Sequence, residues 1–200
     1  MFILASASTS RKKLLKGFRF RVVPSGVREV RRGTLRATCV TNARLKADAV
    51  ARRFPTDWVL AADTMIAYGG RIYGKPRDRK AAVRLLRSLS GATHTLGTGV
   101  VLQKGGFRIV KYVTSRVTLH DEPDVERYVA KNDSTKYAGG YAIREKNDPL
   151  IKSIEGSRSN VIGLPMELLE PLLRKLERQT PGPLPEKPRR GTPLARNLIV

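Results

Sequence analysis

Four short stretches of this 200-residue chain carry side chains that suit phosphate chemistry: Leu4–Leu15, Ala61–Thr64, Gly74–Pro76 and Ile154–Pro165. In the first, an apolar run gives way to Ser8-Thr9-Ser10-Arg11 ahead of Leu14 and Leu15, where a strand would turn into a helix. Free N–H groups at a helix start suit a phosphate. The Ser8 hydroxyl can donate, and Arg11 can give a bidentate contact. A plain serine-rich helix cap explains the same residues. Asp63 follows the apolar run Trp58–Ala62 and would lie at the carboxyl end of a buried strand, the edge where open α/β sheets bind ligands. There it would ligate a metal or take a proton from water, or simply cap a turn. Lys75 stands between a glycine and a proline, and a lysine held in such a turn can reach a phosphate as a point charge.

The elements that must position these groups follow from periodicity. Phe2–Ser6 and Phe18–Val23 predict strands around a helix ended by Gly17. Val40, Ala43, Ala47, Val50 and Phe54 mark one face of a second helix. Trp58–Ala62 predicts a strand buried on both faces, followed by a turn at Gly69-Gly70 and the short strand Arg71–Tyr73. Asp78 would cap a helix with Ala81, Ala82, Leu85, Leu86 and Leu89 on its inner face. Thr93–Gln103 and Phe107–Leu119 predict a long hairpin about Gly105-Gly106. A short helix from Asp121 to about Lys131, a strand over Leu150–Ile154, and a helix starting at Pro165 and carrying Leu168 to Leu176 complete the pattern. Strands alternating with helices, then a hairpin, indicate an α/β domain with a mixed sheet.

Order, wording and spacing of these segments closely resemble the Maf family of nucleotide pyrophosphatases from Met1 to about Leu176. Supporting matches are Tyr137-Ala138-Gly139-Gly140-Tyr141-Ala142-Ile143, Glu155-Gly156 and Asn160-Val161-Ile162-Gly163-Leu164-Pro165, together with Leu89-Ser90-Gly91, Thr93-His94 and Thr98-Gly99-Val100. The resemblance implies a Maf/ITPase-like α/β fold: a long curved mixed sheet flanked by helices, an active-site cleft between two lobes, and members that often dimerise. It implies a nucleoside triphosphate pyrophosphatase acting at the α-phosphorus, with dTTP or UTP as substrate. The alternatives are a 7-methyl-GTP or CTP pyrophosphatase of the same family, or a nucleic-acid-binding protein on this fold with weak or no catalysis. Asp63 and Glu29 would bind Mg²⁺ or Mn²⁺ and, with Lys75, carry catalysis; Ser8, Arg11, Lys46, Thr64 and Lys75 would hold the substrate. Where the family reads S-x-S-P-R-R, this chain has Thr9 for the proline and Ser10 for the first arginine. Arg28 replaces the first member of an acidic pair, leaving Glu29, and Arg144 stands where pyrimidine-specific members have glutamine.

Composition bounds the alternatives. The chain holds 39 Lys plus Arg against 17 Asp plus Glu, a net charge of +22 that attracts polyanions. Its few aromatic residues do not cluster with the cations, which weighs against a base-stacking platform, so nucleic acid is the less favoured partner. No apolar run approaches the ~18–20 residues of a membrane helix. The basic residues follow the apolar start, the reverse of a secretory signal, so the expected location is the cytoplasm. One cysteine, Cys39, excludes an internal disulfide and reads as a buried thiol. Two histidines, His94 and His120, are too few for a histidine-rich metal site, and no P-loop or G-x-S-x-G motif is present. Residues 177–200 hold five of twelve prolines with five basic and two acidic residues, and read as a disordered basic tail.

Overall fold

The computed structural model describes residues 1–143 and 148–179. The tail from 180 onward, and Arg144, lie outside the described residues. One seven-stranded sheet organises the chain in the order β2-β1-β3-β5-β6-β7, with β4 on the same edge of β3 as β1. The strands are β1 (Phe2–Leu4), β2 (Phe20–Val22), β3 (Val59–Tyr68), β4 (Arg71–Tyr73), β5 (Thr93–Lys104), β6 (Phe107–Leu119) and β7 (Ile151–Gly156). The first pairings, β1 with β2 and with β3, are parallel; all later ones are antiparallel. Helices α1 (Thr9–Leu14), α2 (Leu35–Ala51), α3 (Arg79–Leu89), α4 (Val125–Lys131), α5 (Arg158–Ile162) and α6 (Met166–Gln179) flank the sheet.

Alternation along the strands divides the core. Val59 and Ala61 of β3 face α2, where Ala43, Ala47 and Val50 pack with Ile3, Ala5 and Val101. Leu60 and Ala62 face the other way, onto Leu15 and the Leu169–Leu173–Leu176 stripe of α6. A third cluster lies at the far end of the sheet and joins Leu85, Leu86 and Leu89 of α3 to Leu96, Val117, Tyr128 and Tyr141. The first two clusters make one lobe and the third the other, with the long β3–β5–β6 ladder running through both.

Four expectations need correction. β3 does not stop before Asp63 but continues five residues beyond it to Tyr68, because β5 pairs with it from Val59 to Ala67. Asp63 is therefore mid-strand and not at a carboxyl edge. It meets an opening all the same: β1 leaves β3 at Leu60 and β4 joins only at Ile66, so among the described residues one edge between them has no strand neighbour. The second helix starts at Leu35, one turn before its apolar face, because Thr34 caps it by accepting from the Ala37 N–H. α4 starts at Val125 with Asp124 as its cap; Asp121 lies outside it and pairs with Lys152. α6 also extends past Leu176, where Glu177 Oε1 accepts from the Arg19 N–H.

Candidate active site

Glycine places the centre of the site. Gly99 is the cross-strand partner of Asp63. A Cβ on it would lie 2.5 Å from the backbone carbonyl of Cys39 on α2, far inside contact distance. Without that Cβ, α2 settles directly on the sheet. Asn42 and Lys46, one helical turn apart, then reach the same carboxylate. Lys46 Nζ donates to Asp63 Oδ1 at 2.6 Å, and Asn42 Nδ2 donates to Asp63 Oδ2 at 2.9 Å. Asp63 is 3% exposed, and both its oxygens are engaged.

Lys46 also donates to Glu29 Oε1 at 2.6 Å, so one ammonium joins two carboxylates. Asn42 fixes the loop that brings Glu29 there. Its amide accepts from the Val30 N–H at 2.7 Å and donates to the Val30 carbonyl at 2.9 Å. Burial pushes the Glu29 carboxyl up, but Lys46, its hydrogen bond, Lys75 and Arg31 together pull it below the usual value. Lys75 belongs to the same field. Burial lowers its pKa, as do Arg11 and Lys46, while Glu29 and Asp63 act the other way.

Thr64 follows Asp63 in a strand and so projects from the opposite face. Its hydroxyl meets that of Thr98 at 3.0 Å and accepts from Arg11 Nη2 at 3.0 Å. Arg11 is 8% exposed and fills the open edge of β3. Its Nε donates to the Gly163 carbonyl at 2.9 Å, and its Nη1 to the Ala62 carbonyl at 2.8 Å and to Ser6 Oγ at 3.2 Å. Among the described residues four of its five N–H groups are thus engaged by the protein, which makes Arg11 a fixed charge with one donor left for a ligand. Burial pushes its pKa down against the pull of Asp63 and Glu29. Ser8 caps α1, its Oγ accepting from the Arg11 N–H at 3.4 Å, with the hydroxyl proton left to donate. Lys12 and Lys13 are exposed.

The structure thus joins Glu29, Lys46 and Asp63 on the α2 side and Arg11 and Thr64 on the other side of one strand, with Ser8 at the head of α1 and Lys75 within electrostatic reach of Arg11, Glu29, Lys46 and Asp63. A model of the family described as Maf-like protein matches residues 1–176. The chain belongs to the Maf-like family. Among its curated relatives, the dTTP/UTP pyrophosphatase of Latilactobacillus sakei subsp. sakei (strain 23K) is 39% identical over 181 residues, 87% of this chain and 99% of the relative. That of Myxococcus xanthus (strain DK1622) is 40% identical over 172 residues, 83% of this chain and 87% of the relative. That of Pyrococcus furiosus (strain ATCC 43587 / DSM 3638 / JCM 8422 / Vc1) is 35% identical over 176 residues, 86% of this chain and 93% of the relative.

Sequence reasoning about this Maf-like chain misses Asn42, which the structure puts between Asp63 and the Glu29 loop. The available signal was a polar residue exactly one turn before Lys46, among the small apolar residues of the inner face of α2. Thr98, in one of the supporting family matches, meets Thr64 directly, hydroxyl to hydroxyl. Cys39 is a buried thiol, as expected: its Sγ lies 3.4 Å from the Gly97 carbonyl, and burial with Asp63 pushes its pKa to about 12. Among the described residues no helix is long and apolar enough to cross a membrane.

For a divalent cation the donor set is small. Among the described residues no three His, Cys, Asp or Glu side chains gather at one point. Two carboxylates do converge on Lys46, and among the described residues Glu29 Oε2 has no hydrogen bond of its own. Hard oxygen donors of this number fit Mg²⁺ or Mn²⁺, which are commonly held by one or two carboxylates plus substrate phosphates.

Proposed function

We propose that this protein hydrolyses a nucleoside triphosphate, dTTP or UTP, to the nucleoside monophosphate and pyrophosphate. The observation that carries the reading is the Glu29–Lys46–Asp63 clamp beside Lys75, in a chain of this family. A triphosphate brings about four negative charges; Lys46, Lys75 and Arg11 supply three fixed positive ones, and preorganised charge is the largest common term in such catalysis. Ser8 and Thr64 add hydroxyls. Water attacks the α-phosphorus, a new P–O bond forms, and the bond to the α–β bridging oxygen breaks with its electron pair leaving on pyrophosphate.

The water's proton goes to a carboxylate. Glu29 Oε2 is the unengaged oxygen, so Glu29 receives it, while Asp63 holds Lys46 in place. A Mg²⁺ or Mn²⁺ held by Asp63 and Glu29 would draw charge from the phosphate oxygens when bound. The same reading puts the protein in the cytoplasm with free nucleotides, and a homodimer is consistent with the family.

The test is pyrophosphate release from dTTP, UTP, CTP, GTP and 7-methyl-GTP, with Mg²⁺ or Mn²⁺, by wild type and Glu29→Gln. Turnover of one pyrimidine triphosphate that falls by about two orders of magnitude or more in the variant is the expected result. No turnover of any nucleotide by folded protein would discard the enzyme reading and leave the basic surface to be explained by a nucleic-acid partner.

A further inference from the structure

Beside the catalytic cluster lies a second cleft of about 460 Å³, between β4, the Gly74–Arg77 turn and α3. Its cationic lining is Arg31, Arg71, Lys75, Arg77 and Arg84, and no carboxylate residue lines it. Among the described residues only Arg77 of these arginines has an ion-pair partner, Asp78. Arg31, Arg71 and Arg84 are exposed and have none. Five like charges around one hollow repel each other, and an anion seated between them removes that repulsion. Lys75 belongs to both places: it lines this cleft and interacts with Arg11, Glu29, Lys46 and Asp63. Arg31 does likewise, since it also acts on Glu29.

We propose that this cleft is a second anion site, for a condensed phosphate such as pyrophosphate, contiguous with the catalytic cluster through Lys75 and Arg31. With Arg11, Lys46 and Lys75 assigned to the triphosphate, Arg71, Arg77 and Arg84 stand beyond them in the cleft. A single phosphate would touch only part of the ring, whereas linked phosphates span several of its cations. The binding inference stands without the hydrolytic reading. Only its consequence rests on that reading: released pyrophosphate lingers beside the catalytic centre and slows turnover.

The test is calorimetric titration of the full chain with sodium pyrophosphate in chelator, without divalent metal, at low and moderate salt. The variants are Arg71→Glu/Arg84→Glu and, as a charge-matched control away from the cleft, Arg52→Glu/Arg127→Glu; all four are exposed. Wild type and control should bind one more equivalent of pyrophosphate than the cleft variant, or bind it roughly tenfold or more tightly, with affinity falling as salt rises. This holds whether or not the catalytic centre binds pyrophosphate, so a failure of the hydrolytic reading is seen separately. Unchanged stoichiometry and affinity in the cleft variant, or equal loss in the control, overturns the site. Orthophosphate binding as tightly as pyrophosphate overturns the ligand class. Tighter binding of tripolyphosphate supports it and identifies a longer chain, not the reaction product, as the better ligand. A single-stranded oligonucleotide that alone loses affinity in the cleft variant, with pyrophosphate unbound throughout, overturns the proposal in favour of nucleic acid.

Discussion

Asn42 is the side chain on which the candidate site most depends for its shape. It makes three hydrogen bonds, two to the Val30 backbone and one to Asp63. Alanine there leaves the Val30 N–H and carbonyl and one Asp63 oxygen without these partners. Leaving a buried group unsatisfied costs about 1–3 kcal/mol, and here that group is the Asp63 oxygen, since Val30 is exposed and its backbone groups can turn to water, so the urea midpoint of Asn42→Ala should fall accordingly. Glu29 loses the loop anchor that brings it to Lys46, while Lys46 and Asp63 keep their direct bond. Nucleotide turnover should therefore fall through kcat by about tenfold or more, since a misplaced proton acceptor acts on the chemical step. An Asn42→Ala protein with wild-type kcat would show that the Glu29 loop holds its place without this anchor. Lys46→Met separates the charge effect from the anchoring one, because it leaves Asn42 in place and removes only the ammonium between the carboxylates.

At the scale of elements, the decisive contact is α2 against β5, set by a residue with no side chain. Gly99→Ala puts a Cβ 2.5 Å from the Cys39 carbonyl group, both of them main-chain atoms that cannot rotate away. The helix must lift, at a cost of about 1–3 kcal/mol for overpacking. Asn42 and Lys46 rise with it and lose reach to Asp63. Expected are a lower melting temperature and loss of most activity together, read by thermal unfolding and by pyrophosphate release. Unchanged stability would mean that α2 has slack on the sheet.

Much of this scale was legible beforehand. Apolar alternation and turn residues give the hairpin, α3 and the order of elements; the short segments single out Asp63 and Lys75, and the family resemblance adds Lys46. Two things were not legible. The length of β3 depends on its pairing with β5, a long-range partner that no local pattern announces, so Asp63 looked like a strand end. The use of Arg11 as an internal brace depends on carbonyls at Ala62 and Gly163, which carry no side-chain signature. Backbone acceptors of this kind become visible only when the chain is folded.

Across the whole molecule, acid should unfold the protein by two routes that salt can separate. The first is self-repulsion: a chain at +22 gains still more positive charge as carboxylates and histidines protonate, and salt screens this. The second is His94, buried in the lobe of α3 and α4, where its Nε2 lies 2.6 Å from the Tyr141 hydroxyl. Among the described residues no charged side chain is paired with it and its Nδ1 has no hydrogen-bond partner, and burial pulls its pKa down to about 4. The unfolded chain takes up a proton at His94 near pH 6.5, while the folded one refuses it until about 4. Between those values the unfolded state binds more protons, so stability falls as pH falls, by up to roughly 3 kcal/mol from this residue, and the loss levels off below about 4. Screening by salt leaves this buried term nearly untouched. Urea midpoints at pH 7.5 and pH 5, at low and high salt, should show a drop that salt reduces but does not abolish. His94→Gln cannot take up the proton, so in that variant the salt-resistant part should disappear. If it persists in His94→Gln, another buried group carries the acid sensitivity.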